Sequence, residues 1–229
     1  MSKRKTLVII GSGGHAGCLR DIARLAGFQV AGFIDRTRPA GTAVLDLGIL
    51  GGDERLQDEA FISRHHFAIG IGHPLARHRY GEWLLHQGAE LPVIVNPSAF
   101  VSPHATLGQG VLLMGMNAVN HGACIENFVA LDWQVTLGHG AHLGTAAFGA
   151  PGSRVAGDVV CGDDTYLGLG CQVIEKVRIG KGCLIGAGAT VIRDLPDHVL
   201  AVGSPARVIR DNPPDTDPEL GPIMSGMSA

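Results

Sequence analysis

Aliphatic side chains recur at every sixth position from Val101 to Val191. The series runs Val101, Leu107, Leu113, Val119, Ile125, Leu131 and on to Ile185 and Val191, with Cys161 in register and Gly149 alone breaking it. The position two before is usually small or β-branched, as at Ala105, Ala123, Val129, Ala141 and Thr165. The position one after is often glycine, as at Gly108, Gly138, Gly144 and Gly162. A helix repeats near 3.6 residues and a strand near 2, so neither gives this beat. A parallel β-helix does. Each hexad supplies one short strand and one turn, the aliphatic residue points inward, and three hexads close a triangular coil. The pattern predicts a left-handed parallel β-helix of about five coils within residues 96–210, entered through Asn96-Pro97-Ser98 and left through Gly203-Ser204-Pro205-Ala206-Arg207.

The preceding stretch, residues 1–95, alternates differently. Thr6–Ile10, Val30–Ile34, Leu45–Leu50 and Phe67–Ile71 read as strands. His15–Leu25, with Ala16, Leu19, Ile22 and Ala23 on one face, reads as a helix, as do Glu54–Ile62 and Leu75–His86 after Pro74. Strands alternating with helices predict a small Rossmann-like βαβ unit with a parallel sheet. Residues 211–229 are rich in Pro, Asp, Ser and Gly and read as a disordered tail.

Composition fits a thin prism: aromatics make up 5% of the 229 residues, and 34 are glycine. The net charge of −3 makes no electrostatic case for nucleic acid or an anionic membrane. No apolar run approaches the roughly 20 residues of a membrane span. The apolar run behind Met1-Ser2-Lys3-Arg4-Lys5 is too short for a signal peptide, so a cytoplasmic location is expected. Of five cysteines, Cys161, Cys171 and Cys183 fall at inward register positions, which packing explains. With no CxxC or CxxH pair, no metal is expected.

Two constellations carry candidate chemistry. Gly11-Ser12-Gly13-Gly14-His15-Ala16 sits between a strand and a helix, where glycines let a phosphate approach the helix N-terminus. Asp35, at the end of the second strand, is placed to accept hydrogen bonds from a ribose or a base. The same turn also reads as a ligand-free bend or, less well, as an NAD site. The second constellation comes from hexad arithmetic. Residues eighteen apart stack about 4.8 Å from one another, so His121, His139 and Gly157 share one column, and Gly122, Gly140 and Asp158 the next. An outward His139 can act as a base near neutral pH. His104 and His142 read as solvated surface.

The segments LVIIGSGGHA…GFID, NPSAFVSPHATLG, LGHGAHLG and GSPARVI resemble the sialic acid O-acetyltransferase-like family, whose relatives include bacterial nucleotide-sugar N-acetyltransferases. The likeness spans residues 5–210. It implies an acetyl-CoA-dependent acyltransferase of bacterial surface-glycan synthesis, homotrimeric, with active sites between subunits and acetyl-CoA as co-substrate. On the matching positions it implies that Gly13, Gly14, His15 and Asp35 hold the nucleotide-sugar. His139 is the base, Gly157 supports the thioester carbonyl, and Arg207 lies near CoA.

This sequence departs from the family at three of these places. The acidic residue that follows the catalytic histidine is Gly140 here, with Asp158 one coil away as the expected replacement. A second histidine nine positions on is Phe148, and Asp132 stands where a sugar-contacting Asn is frequent. The leading expectation is N-acetylation of a UDP- or GDP-4-amino-sugar. The alternatives are a sugar O-acetyltransferase, a nucleotide-binding trimer with impaired catalysis, and a γ-type carbonic anhydrase.

Overall fold

The computed structural model describes residues 5–213. The N-terminal unit is built on strands β1 (Thr6–Ile10), β2 (Val30–Ile34), β3 (Ala43–Val44), β4 (Leu47–Gly51) and β5 (His65–Ile69). They lie in the order β3-β4-β2-β1-β5, parallel except for the β3–β4 hairpin. That hairpin replaces the single strand expected over 45–50: Leu45, with φ of 56°, turns the chain back on itself. The helix expected over 54–62 is also divided. A 3₁₀ turn covers Asp53–Gln57, then Asp58 accepts hydrogen bonds from the Ala60 and Phe61 N–H groups and starts a new helix, α2 (Glu59–Arg64). An N-cap aspartate restarts the helical count. The strand expected over 67–71 runs two residues earlier, as β5. Helices α1 (Gly14–Leu25) and α3 (Pro74–His86) match expectation, the first burying Ala16, Leu19, Ile22 and Ala23.

Beyond β5 and α3 the chain winds into a left-handed parallel β-helix of two-residue rungs. Face one carries Ile94, Leu112, Ala130, Phe148, Tyr166 and Leu184 as the first residues of its rungs. Face two carries Phe100, Ala118, Thr136, Arg154, Gln172 and Thr190, and face three Thr106, Cys124, His142, Val160 and Arg178. The first rung, Ile94–Val95, pairs with Leu112–Leu113 and precedes Val101 by one hexad. Inside, the sixth-position aliphatics and the small residues two places earlier form one continuous core. Gly149 fits because the side chains of Leu131, Val135 and Ser153 already fill the space a methyl group would take. Cys161, Cys171 and Cys183 are buried free thiols, with Cys171 pushed up to about 12 by burial.

The register slips once, at the exit. Leu184 pairs with Leu200 and Ile179 bridges Leu195, sixteen residues on instead of eighteen. Strand Val199–Val202 follows on face one, and Arg207–Asp211 closes it antiparallel. Of the tail expected to be disordered over 211–229, Asp211 ends this closing strand and Asn212 bonds the Gly182 carbonyl, while residues 214–229 lie outside the described residues.

Helix α1 and the upper rungs of face one share a core that includes Leu19, Ile94, Leu112, Ala130 and Phe148. Helix α3 packs on the turns between faces three and one. There Gly81 lies so close to the Phe128 ring that a β-carbon would fall 2.6 Å from it. Arg77, fully buried, is the keystone of this seam. Its Nε donates to the Phe128 carbonyl at 2.7 Å, its Nη2 to the Ala146 carbonyl at 2.5 Å, and its Nη1 to the carbonyls of Ile71 and Gly72. Among the described residues no carboxylate touches it, and burial pushes its pKa down to about 9, with Asp164 opposing. No described helix is long and apolar enough to cross a membrane.

Candidate functional site

The glycine turn is shaped by close packing. Gly11 takes a φ of 88°, and Gly70 approaches α1 so closely that a β-carbon would lie 2.7 Å from the Ala16 methyl. The turn therefore presses against the end of β5. Gly13 and Gly14 face open space instead, and Gly13 caps α1 with no side-chain hydrogen bond. The first helical N–H groups are thus presented outward, as an anion would require.

Asp35 is held by its own loop. Its Oδ1 accepts from the Thr37 N–H and hydroxyl and from the Arg38 N–H, and its Oδ2 accepts from the Ser12 hydroxyl. Burial works against ionisation, but these hydrogen bonds outweigh it and keep the carboxyl below its ordinary value. The carboxylate ties the glycine turn to the β2 loop.

His15 joins this turn to the prism. Its ring meets Phe148 edge-on at 5.8 Å, and Phe148 stacks on Tyr166 at 5.1 Å. Burial lowers the His15 pKa, Arg77 lowers it further, and Asp132 opposes both. The ring is therefore neutral at neutral pH, with a buried Nε2 that has no partner among the described residues. Asp132 is fixed in its turn: its carboxylate accepts from the Trp133 N–H at 2.8 Å and its carbonyl from Asn117 at 2.7 Å.

His139 stands at the corner between faces two and three, with its side chain 71% exposed. It lies over Gly157, where a β-carbon would fall 2.5 Å from its Cε1 and 2.6 Å from its Nε2. Gly157 keeps its N–H free of any backbone acceptor among the described residues. The Asp158 Oδ1 lies 3.8 Å from the His139 Nδ1. The Asp158 backbone is left-handed (φ 58°), and its N–H donates to the His139 carbonyl. A side chain at Gly140 would collide with the Asp158 carboxylate.

The predicted residues fall into three groups. Gly13, Gly14, His15, Asp35 and Asp132 gather where α1 meets face one. His139, Gly157 and Asp158 gather at the corner opposite that face. Arg207 is exposed at the start of the closing strand, its Nη1 donating to the Ala206 carbonyl. Within one chain the prism core separates the first two groups. Among the described residues no group of three or more His, Cys, Asp or Glu is disposed to hold a metal ion.

Some roles were not anticipated. His142, expected as solvated surface, donates its Nε2–H to the Glu126 carboxylate at 2.7 Å, and Glu126 also accepts from the Thr145 hydroxyl. Arg77 was missed too, although a charge among Pro74, Tyr80, Gly81 and Leu84 on one helical face was its signal. His78, one residue on, bonds Asp164 of the prism at 2.9 Å.

A hexapeptide prism bearing an exposed imidazole over a glycine, with an appended glycine-turn α/β unit, defines the class of protein: a hexapeptide-repeat transferase. Two family models agree, the PglD N-terminal domain over residues 6–84 and the bacterial transferase hexapeptide over residues 150–193. The perosamine N-acetyltransferase of Caulobacter crescentus, solved with CoA and GDP-perosamine, is 35% identical. It covers 90% of this chain and 97% of its own, with a TM-score of 0.84. The acetyltransferase domain of PglB from Neisseria gonorrhoeae, solved with acetyl coenzyme A, is 26% identical over 90% of this chain and 100% of its own, with a TM-score of 0.84. Serine acetyltransferase of Escherichia coli K12 is 32% identical over 157 residues, 63% of this chain; the chain spans about half, 52%, of that curated relative's length. The chain belongs to the bacterial nucleotide-sugar N-acetyltransferase family of hexapeptide-repeat acyltransferases.

Proposed function

We propose that the protein transfers acetyl from acetyl-CoA to the amino group of a nucleotide-linked 4-amino-sugar, in bacterial surface-glycan synthesis. The observation that carries this reading is the stack of His139 on Gly157, with the Asp158 carboxylate beside Nδ1. The relative solved with CoA and GDP-perosamine supports the two substrates.

In this reading the His139 Nε2 accepts the proton from the sugar amine as nitrogen attacks the thioester carbonyl. Asp158 orients the ring from the Nδ1 side. The free N–H of Gly157 faces the oxyanion that develops on the carbonyl, where a fixed donor is most useful. Collapse expels the CoA thiolate, which takes up the proton from His139. The open α1 N-terminus at Gly13 and Gly14, with His15, holds the diphosphate. Asp35 fixes the loop that meets the nucleoside, Asp132 meets the sugar, and Arg207 a phosphate of CoA.

The two halves of this machinery lie on opposite sides of one prism, so a site needs a second subunit. Face two supports a homotrimer. Phe100 is exposed on it, Met116, Trp133 and Leu169 are exposed along one bordering corner, and Ile174 and Ile192 along the other. An apolar strip of this kind is what a partner covers. Packing face two around an axis brings the His139 corner of one copy against the Asp132 corner of the next.

The test is acetyl-CoA turnover on a panel of UDP-, GDP- and dTDP-linked amino-sugars. Turnover on at least one, lost in His139→Ala, is expected; turnover that survives the substitution overturns the assignment of the base. Acetylation of a sugar hydroxyl in place of the amine would move the protein to the O-acetyltransferase branch.

A further inference from the structure

A cavity lies beside the β5–α3 loop, where the N-terminal unit meets face one. It has a volume of about 730 Å³ and sits where the start of α3, the lower rungs of face one and the closing strand meet. None of the residues assigned above to sugar, acetyl group or CoA lines it. Its floor is apolar and aromatic, from Tyr166, Leu184, Leu75 and Pro74, and its rim carries Lys181 and Arg210.

The charge balance of this cavity is positive. Its one acidic lining residue, Asp164, is already bonded to His78. Among the described residues neither Lys181 nor Arg210 meets a carboxylate within ion-pair distance. The wall behind them is built. The Asn212 side chain donates to the Gly182 carbonyl at 2.9 Å, and its backbone N–H bonds the His198 carbonyl. The His198 ring packs over Gly182, with a buried Nδ1 that has no partner among the described residues. A buried ring nitrogen without an acceptor is better left unprotonated, which leaves Nε2–H as the donor of the neutral ring.

We propose that this cavity binds a small organic phosphate of about nucleotide size, its phosphate between Lys181, Arg210 and the His198 Nε2–H, its apolar part against Tyr166 and Leu184. An apolar floor with a few convergent polar groups is the general form of a small-ligand site, and this volume lies in the usual range. A planar guanidinium beside an ammonium suits a phosphate in particular. The proposal stands independently of the acyl-transfer reading, because it shares no residue with it.

Pyridoxal 5′-phosphate is a direct probe in the full chain. Its aldehyde condenses with a lysine amine to an imine, losing water, and borohydride then delivers hydride to give a stable secondary amine that peptide mass spectrometry locates. Lys181 is expected to be labelled at least fivefold faster than exposed Lys176. Inorganic phosphate should protect it, and adenosine 5′-monophosphate should protect it at lower concentration. Arg210→Gln should slow labelling of Lys181 at least fivefold and leave Lys176 unchanged. Equal labelling of the two lysines, no protection by either phosphate, or labelling indifferent to Arg210→Gln overturns the site. Protection by phosphate and the monophosphate at equal concentration overturns the role of the apolar floor.

Discussion

The carboxylate of Asp158 occupies the space that a side chain on Gly140 would need. The two positions are eighteen residues apart in sequence and adjacent in space, so a side chain at Gly140 would have to displace the Asp158 carboxylate. Asp158→Asn keeps the shape and removes the charge. General acid–base catalysis contributes about 10²–10⁴-fold, and an exposed group that only orients the base accounts for part of it. A fall in kcat on the order of tenfold is expected, with KM for acetyl-CoA little changed. An unaltered kcat would remove Asp158 from the mechanism.

Gly157 matters for what it lacks. A methyl group there would fall 2.6 Å from the His139 Nε2, so the ring must leave its place. A displacement of about 1 Å at a reacting group costs on the order of 10²-fold. Gly157→Ala is expected to lower kcat by about that factor while leaving the thermal midpoint within a few degrees, since the site is exposed. Steady-state kinetics beside a melting curve checks both halves.

Arg77 sets where the α/β unit sits. Its donors serve carbonyls from the β5–α3 loop and from two prism turns. Arg77→Leu leaves those carbonyls buried without donors, at about 1–3 kcal/mol each. A loss of at least about 3 kcal/mol is expected in urea unfolding. Arg77→Lys, with fewer donors, should fall between. A Leu variant as stable as the parent would show that the seam is held by apolar packing alone.

His78 gives the same seam a pH dependence. The hydrogen bond that His78 donates to the Asp164 carboxylate raises its pKa above 6.5; burial opposes this, while the Asp164, Glu82 and Asp163 charges add to it. A histidine whose pKa rises on folding contributes its stability fully below the unfolded value and loses it as pH climbs through the folded one. Stability is therefore expected to decline from pH 6.5 upward, and the decline should vanish in Asp164→Asn. Urea midpoints at pH 6 and pH 8.5 read this out; a slope that survives the substitution assigns it to another group.

Most of the prism was legible because its rule is local and repeated. One inward aliphatic per hexad, with a small residue two before it, leaves a single register, and the core follows it from Leu113 to Val191. The same arithmetic placed Gly157 beneath His139. It stops at Val191, just before the coil that is two residues short, and so says nothing of the strand Val199–Val202 that follows. In the α/β unit the split at Asp58 was missed, since a capping aspartate inside a helical pattern looks like one more polar position. The seam was least visible. Whether Arg77 faces solvent or the carbonyls of Phe128 and Ala146 depends on residues 51 and 69 positions away, and no local pattern encodes that.

A parallel solenoid has no inherent length, since every rung exposes an edge on which an identical rung can be laid. This one ends by breaking its own rule twice. Two residues drop out of the last coil, and the chain then reverses, so the final edge on face one is the antiparallel Arg207–Asp211 strand. It carries Arg207, Arg210 and Asp211 outward, and a charged edge resists pairing. Edge-to-edge growth is thereby resisted along face one.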